Sequence, residues 1–410
     1  MPAKKTNKKF IAVCEAFRMP STYDRWRYFA KLNPGLEVTL IAPAEYEDHT
    51  WPEVRIFKTQ ELDEPVFKVR TINMKRGQFT KNGFLSLKLL QILRKEKPDF
   101  LYMIGYEVDN ILMLLAATRC LWDLNCIKIG FTMRGQPFPL GGLHYRTRWS
   151  ITKKFYNAFC CHYPKAIEII RDQGGFKGPI YMQTQVGVNK KVNYFSEDRR
   201  ALARQKYGLA DDVFIFGMAC RIEESKGVFD VLNALPPRED YQLFLMGDGI
   251  DKAKLIQTIK QKGLEDRVIL PGFIPMGEKV AEAMCALDAF IHVPKSTPTW
   301  IDTFPLAVVQ AMATGLAVIG SDSGAVPYQI GDEEMIVEEG NSEALKEKIV
   351  ELLENPKWRE EKGANNLVRV LETFEIEHLS KSFSAITADL RKGVYVSHHI
   401  DQANFKFEHD

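Results

Sequence analysis

The chain has 410 residues, with Lys+Arg 55 against Asp+Glu 53, a formal net charge of +2, 45% hydrophobic residues, 27 Gly and 20 Pro. At roughly 150 residues per domain, that length corresponds to about two or three domains. The composition excludes disordered, collagen-like and low-complexity chains, the balanced charge excludes a general nucleic-acid binder, and no apolar run reaches the ~18–20 residues of a membrane span.

In chain order, a polar tail with Lys4, Lys5, Lys8 and Lys9 precedes an apolar strand predicted over 10–13. Residues 10–17 do not read as a secretory signal, because Glu15 interrupts them and no A-x-A site follows. Pro20 and Ser21 close the next loop, Trp26, Tyr28, Phe29 and Leu32 mark a helix, and 37–42 form a strand ended by Pro43. Helical periodicity runs over 84–93, followed by a strand at 100–104, a helix at 110–119 and a strand at 126–131. Residues 187–212 are polar, carry a short helix at 198–207, and separate the two halves.

The second half alternates more regularly. Strands are predicted at 213–219, 241–246, 268–270, 289–293 and 317–320. Helices are predicted at 228–235, 252–262, 277–285, 306–314 and 342–353, the last stopped by Asn355-Pro356. A final amphipathic helix spans 374–390 and a polar tail follows from 393. Strands alternating with helices argue for an α/β protein of two doubly wound, Rossmann-like domains, binding a ligand in the cleft at their strand carboxyl ends.

Seven cysteines, Cys14, Cys120, Cys126, Cys160, Cys161, Cys220 and Cys285, are odd in number and form no C-x-x-C pair. They read as reduced, mostly buried thiols of a cytoplasmic protein. Eight histidines show no metal spacing, and His162 and His292 read as structural or surface groups. No G-x-G-x-x-G follows a strand, no H-E-x-x-H occurs, and no Asp-x-Asp suggests a bound divalent metal. Paired carboxylates of a glycosidase are also missing from any one motif.

Two stretches could carry chemistry. Arg221 at a strand end and Lys226 before the next helix form a phosphate clamp if both face one ligand. An ordinary βα loop with surface cations would use the same residues. In the second stretch, Pro305 suits the first turn of a helix, whose unpaired amides around Thr303, Phe304 and Leu306 accept an anion. Asp302 precedes that helix and Gln310 lies two turns in, so both could reach one ligand. A plain N-cap and a solvated Gln310 are the simpler alternative.

Together these stretches resemble the family-4 retaining glycosyltransferases, glycosyl transferases group 1, which have the GT-B fold. The supporting segments are Leu245-Met-Gly247-Asp-Gly249, Val268-Ile-Leu-Pro-Gly272-Phe273, Gln310-Ala-Met-Ala-Thr-Gly315 and Gly320-Ser-Asp-Ser-Gly324-Ala-Val-Pro327. The resemblance covers 210–355 with strong order and extends weakly over the N-terminal half. It implies an acceptor-side domain over 9–187, a donor domain over 188–375 that includes Gly247, and a helix at 376–392 returning to the first domain.

By that resemblance Arg221 and Lys226 bind the donor diphosphate, and backbone near Phe273 reads the base. Asp302 and Gln310 stand where the family has two Glu residues, one at the sugar and one at the ribose. Asp302 is a methylene shorter, and Gln310 accepts a hydrogen bond without charge. The donor implied is a UDP- or GDP-sugar, with no other cofactor and no metal.

The N-terminal half departs further. The family's Gly-Gly after the first strand is replaced by Glu15-Ala-Phe-Arg18-Met-Pro20-Ser21, and its His-Asp by Phe131-Thr-Met-Arg134-Gly-Gln136-Pro137. Arg18 and Arg134 are the possible acceptor-side residues. The partner implied is a glycan or lipid-linked acceptor, as in surface polysaccharide synthesis. Arg146, Arg148, Lys153 and Lys154 interleaved with Trp149, Phe155 and Tyr156 suit peripheral contact with the inner membrane face, or a solvated helix with a core-facing stripe. The altered Asp302 and Gln310 leave room for a non-catalytic nucleotide-sugar-binding protein or partner subunit.

Overall fold

The structure, a computed structural model, describes residues 8–14, 17, 20–48, 55–73, 75–76, 84–85, 87–104, 125–132, 143–298 and 300–393. Arg18, Arg134, the helix expected over 110–119 and the tail from 394 lie outside the described residues. The chain divides into two compact units, Met1–Glu47 with Ile56–Gln185 and Leu379–Asp410, and Asp48–Arg55 with Val186–His378.

The first unit is built on an eight-stranded sheet. Its strands are β1 (Lys8–Val13), β2 (Leu36–Pro43), β3 (Leu62–Asp63), β4 (Phe67–Ile72), β5 (Phe100–Ile104), β6 (Ile127–Thr132), β7 (Ala158–Cys161) and β8 (Ile180–Met182). Their order is β8-β7-β6-β5-β1-β2-β4-β3. All neighbours are parallel except β3 and β4, where Leu62 faces Val69 across an antiparallel pair. Parallel strands are covered on both faces, which accounts for the unbroken burial of Phe100–Ile104 and Ala158–Cys161.

Helix Tyr23–Leu32 buries Trp26, Phe29 and Ala30, the i, i+3, i+4 spacing of an apolar face. The final helix, Ile376–Lys392, contributes its residues from Leu379 to this same unit. There the Phe383 ring lies 5.1 Å from Phe29 and Tyr102 and 5.8 Å from Phe10 and Trp26, centroid to centroid. Buried Arg25 donates to the Thr184 carbonyl and stacks over Trp26 and Phe383 at 5.1 and 5.6 Å. Two aromatic faces thus flank a guanidinium that has no ion pair with a carboxylate among the described residues.

The second unit has six parallel strands, β9 (Phe214–Ala219), β10 (Tyr241–Met246), β11 (Val268–Gly272), β12 (Ala289–His292), β13 (Ala317–Ser321) and β14 (Ile336–Val337). Their order, β11-β10-β9-β12-β13-β14, reverses direction between β9 and β12. That is the doubly wound order in which ligands settle beyond the carboxyl ends of the two strands at the reversal.

Several elements differ from expectation. The helix expected over 84–93 is Leu87–Glu96, preceded by a short strand at Phe84–Leu85. Helix Ser342–Glu354 does stop at Asn355, but Pro356 starts another helix, Pro356–Thr373. Proline breaks the first helix for want of an N–H and fits the opening position of the second for the same reason. Strands β4, β7 and β8 carry no sequence expectation: β7 and β8 have only four and three residues, while β4 interleaves Lys68 and Arg70 with its buried residues.

Candidate functional site

The site gathers at the reversal between β9 and β12. The loop after β9 carries Cys220, Arg221, Glu223 and Lys226; the loop after β12 runs from Val293 to Pro305 and carries Asp302. Backbone bonds lock the neighbouring loops together. Cys220 N–H donates to the Met246 carbonyl at 3.1 Å, Ile222 N–H to Asp248 at 2.9 Å, and Lys295 N–H to Ser225 at 2.8 Å. Gly247 makes the first of these approaches possible, because a Cβ there would lie 1.9 Å from the Cys220 carbonyl oxygen.

Lys226 Nζ lies 2.7 Å from Asp302 Oδ2, and His292 Nε2 reaches the same oxygen at 3.2 Å. The three residues are 9%, 8% and 2% exposed. The Lys226 ammonium also sits over the Trp300 ring, 4.0 Å from its centroid. Burial alone would raise the Asp302 carboxyl; the His292 hydrogen bond and the Lys226 charge outweigh it and hold the group well below the ordinary carboxylate range. The carboxylate is therefore ionised in an almost dry setting.

Arg221 is turned to a different partner, Glu223, at 3.1 Å. Both cations still lie close enough to Cys220 to act on its thiol, which burial pushes up to about 12 against their opposing pull. The clamp residues thus share one neighbourhood, each already paired with a carboxylate of the same unit.

The helix after Asp302 is Leu306–Ala313, and Pro305 stands at its N-cap rather than in its first turn. No side chain caps it and no acidic residue occupies its first turn. Its opening amides and dipole therefore remain suited to an anion. Thr303 is half-buried, Phe304 packs its ring 5.6 Å from Phe374, and Leu306 lies partly against the core. Gln310 is buried, not solvated, and its side chain shows no hydrogen bond to a described residue.

Phe273, just past β11, is exposed, as are Ile250 and Met276 on the loops that follow β10 and β11. In the N-terminal unit, Trp149, Phe155 and Tyr156 are buried, while Arg146 on the same stretch is exposed. Trp149 Nε1 donates to the Gly174 carbonyl at 2.6 Å. These aromatics are committed to the core and cannot also serve a membrane interface. No helix among the described residues is long and apolar enough to cross a membrane.

His292, expected as a structural or surface group, is buried against the Asp302 carboxylate. The available signal was a histidine closing an otherwise apolar strand, ten residues ahead of the acidic Asp302. Trp300 and Glu223 carry no sequence expectation; Trp300 meets Lys226 only in the folded unit, whereas Glu223 lies two residues from Arg221 in the same loop.

Residues 199–368 match the family model described as glycosyl transferases group 1. Over 316 residues, 75% of this chain and 78% of the relative, the sequence is 26% identical to N-acetyl-alpha-D-glucosaminyl L-malate synthase of Bacillus anthracis. Over 310 residues, 71% of this chain and 77% of the relative, it is 24% identical to the O-antigen biosynthesis glycosyltransferase WclY of Escherichia coli. Among solved structures, HepE of Anabaena in complex with UDP matches with a TM-score of 0.66 at 17% identity, covering 93% of this chain and 100% of that one. Likeness at that identity concerns the fold, which is GT-B, with two Rossmann-like units.

Proposed function

We propose that the chain, whose residues 199–368 match the family model of glycosyl transferases group 1, moves a sugar from a nucleoside-diphosphate sugar to a glycan or lipid-linked acceptor. The transfer keeps the anomeric configuration, as in family 4, and uses no metal. The observation that carries this reading is the meeting of Lys226 with Asp302 at the strand-order reversal, beside Arg221 and an uncapped helix start.

As the bond to the anomeric carbon breaks, negative charge grows on the departing diphosphate. Lys226, Arg221 and the amides opening Leu306–Ala313 are preorganised positive groups for that charge, and such groups act most strongly where water is excluded. Asp302 is the anion suited to the cationic sugar centre. Gln310, buried and with no side-chain hydrogen bond to a described residue, is in this reading the acceptor for a ribose hydroxyl. Phe273 and its backbone are the base-side surface. The relatives' printed roles in O-antigen and N-acetylglucosaminyl chemistry favour a saccharide or small hydroxylated acceptor. Six free cysteines among the described residues favour a reducing, cytoplasmic setting.

A second reading has one observation in its favour: Lys226 and Arg221 are both paired internally, as in a nucleotide-binding protein without turnover. Mass-spectrometric screening of nucleotide-sugars for turnover, beside thermal shifts with UDP, GDP, ADP and CDP, separates the two. Turnover and nucleotide stabilisation that both vanish in Arg221→Ala/Lys226→Ala support transfer. Stabilisation without any product supports the binding protein. The anomeric configuration of the product, read by NMR, tests retention, and activity unchanged by EDTA tests metal independence.

A further inference from the structure

His292 lies outside every role so far assigned. It closes β12, is 2% exposed, and places Nε2 3.2 Å from Asp302 Oδ2, the oxygen that Lys226 Nζ touches at 2.7 Å. Its other ring nitrogen, Nδ1, is buried without a hydrogen-bond partner among the described residues. A carboxylate only accepts, so the hydrogen of this contact resides on Nε2. One carboxylate oxygen is thus divided between two donors, one of them the cation that a diphosphate needs.

We propose that His292 is a positioning residue of the diphosphate site: by sharing the Asp302 carboxylate with Lys226, its Nε2–H leaves the ammonium available to a nucleoside diphosphate. The inference rests on the reading of Lys226 as a diphosphate ligand. Its physical basis is competition. Asp302 is nine-tenths buried, and a buried carboxylate left without donors is strongly disfavoured. With His292 in place, Lys226 can turn to phosphate while Asp302 keeps one charge-assisted partner. Without it, Lys226 is the only partner described for that oxygen, and every phosphate contact is made against that pair.

The effect expected is that of one hydrogen bond to a charged group, about 10–100-fold in affinity. Calorimetric titration with UDP, GDP, ADP and CDP of the full chain reads it directly. His292→Leu is expected to weaken the preferred nucleotide by about 10-fold or more. His292→Gln, whose amide nitrogen reaches the Nε2 position, restores most of the affinity, and His292→Asn, whose amide is too short, does not. In an Asp302→Asn background the carboxylate competitor is gone, and His292→Leu then changes affinity little. A purely structural histidine would show the same loss in both backgrounds.

Equal affinities for His292→Gln and His292→Asn overturn the inference, even if His292→Leu fails to fold. Nucleotide binding lost in Lys226→Ala but unchanged in His292→Leu overturns it while leaving the donor site intact. Failure of the wild type to bind any of the four nucleotides removes the donor reading and this inference with it.

Discussion

Gly324, in the turn after β13, stands directly against the backbone carbonyl of Asp302: a Cβ on residue 324 would lie 2.0 Å from that oxygen. Ala325 N–H donates to the same carbonyl at 2.9 Å, and Gly324 adopts φ +58°. The position of the acidic residue is therefore set from outside its own loop, by a residue 22 places further along the chain. Gly324→Ala is expected to cost more than about 1 kcal/mol from the left-handed backbone alone. The clash also moves Asp302, so nucleotide affinity falls further than stability predicts. Chemical denaturation and calorimetry on one preparation test this, and a stability loss with normal affinity would contradict it.

Lys226→Met removes the ammonium from Asp302 and Trp300 at once. The remaining carboxylate keeps His292, so the expected loss of stability is about 1.5–3 kcal/mol, that of a hydrogen bond to a charged group, not that of an isolated buried charge. Nucleoside diphosphate binding is lost in the same variant. Urea denaturation at neutral pH gives the first quantity and calorimetry the second.

The depressed Asp302 carboxyl gives a pH signature whose sign follows from linkage. A group held below its unfolded value, about 3.9 for Asp, stabilises the folded state above that value and loses the contribution as pH falls towards the folded one. The stability difference between wild type and Asp302→Asn is therefore expected to be full at pH 5 and to shrink below about pH 4. A difference already gone at pH 5 would show that the carboxyl is not held down as described.

Gln310→Glu puts a carboxylate where the wild-type side chain is buried and shows no hydrogen bond to a described residue. Without ligand it is expected to destabilise by about 1–3 kcal/mol, the cost of an unsatisfied buried group. A ribose hydroxyl supplies the missing donor, so UDP or GDP raises the melting temperature of the variant more than that of the wild type. Equal shifts in both proteins would separate Gln310 from the ribose.

Phe383→Ala tests the closure of the first unit by the final helix. The ring meets Phe10, Trp26, Phe29 and Tyr102 in a fully buried cluster, so the expected loss is about 3–5 kcal/mol. Denaturation of the full chain measures it, and a loss below 1 kcal/mol, read in the same transition, would mean that the helix is not part of this core.

Much of the second unit was legible from local pattern. The strand Tyr241–Met246 has its expected bounds, and the neighbouring strands and helices differ by a residue or two at their ends. Buried parallel strands are apolar runs bounded by turn residues, and that signal needs no tertiary information. Ala158–Cys161 and Ile180–Met182 escaped because three or four residues cannot establish a period, and Pro356 escaped because one residue type serves as both stop and start.

For the site, the chain itself determined which residue types stand at the ends of which strands: Arg221 and Lys226 after one, Asp302 after another, Gln310 two turns into a helix. Their proximity depends on strand order, which brings β9 beside β12 although two strands separate them in sequence. The Lys226–Asp302 pairing depends on it too, whereas Glu223 shares a loop with Arg221 and His292 closes the strand from which the Asp302 loop departs. Asp302 meets Lys226 and His292, Arg221 turns to Glu223, and Gln310 is buried, because a buried charge takes whatever donor the packed loops leave within reach. Periodicity along a chain encodes which face of an element is apolar; only packing of elements distant in sequence decides which polar groups share one small, dry space.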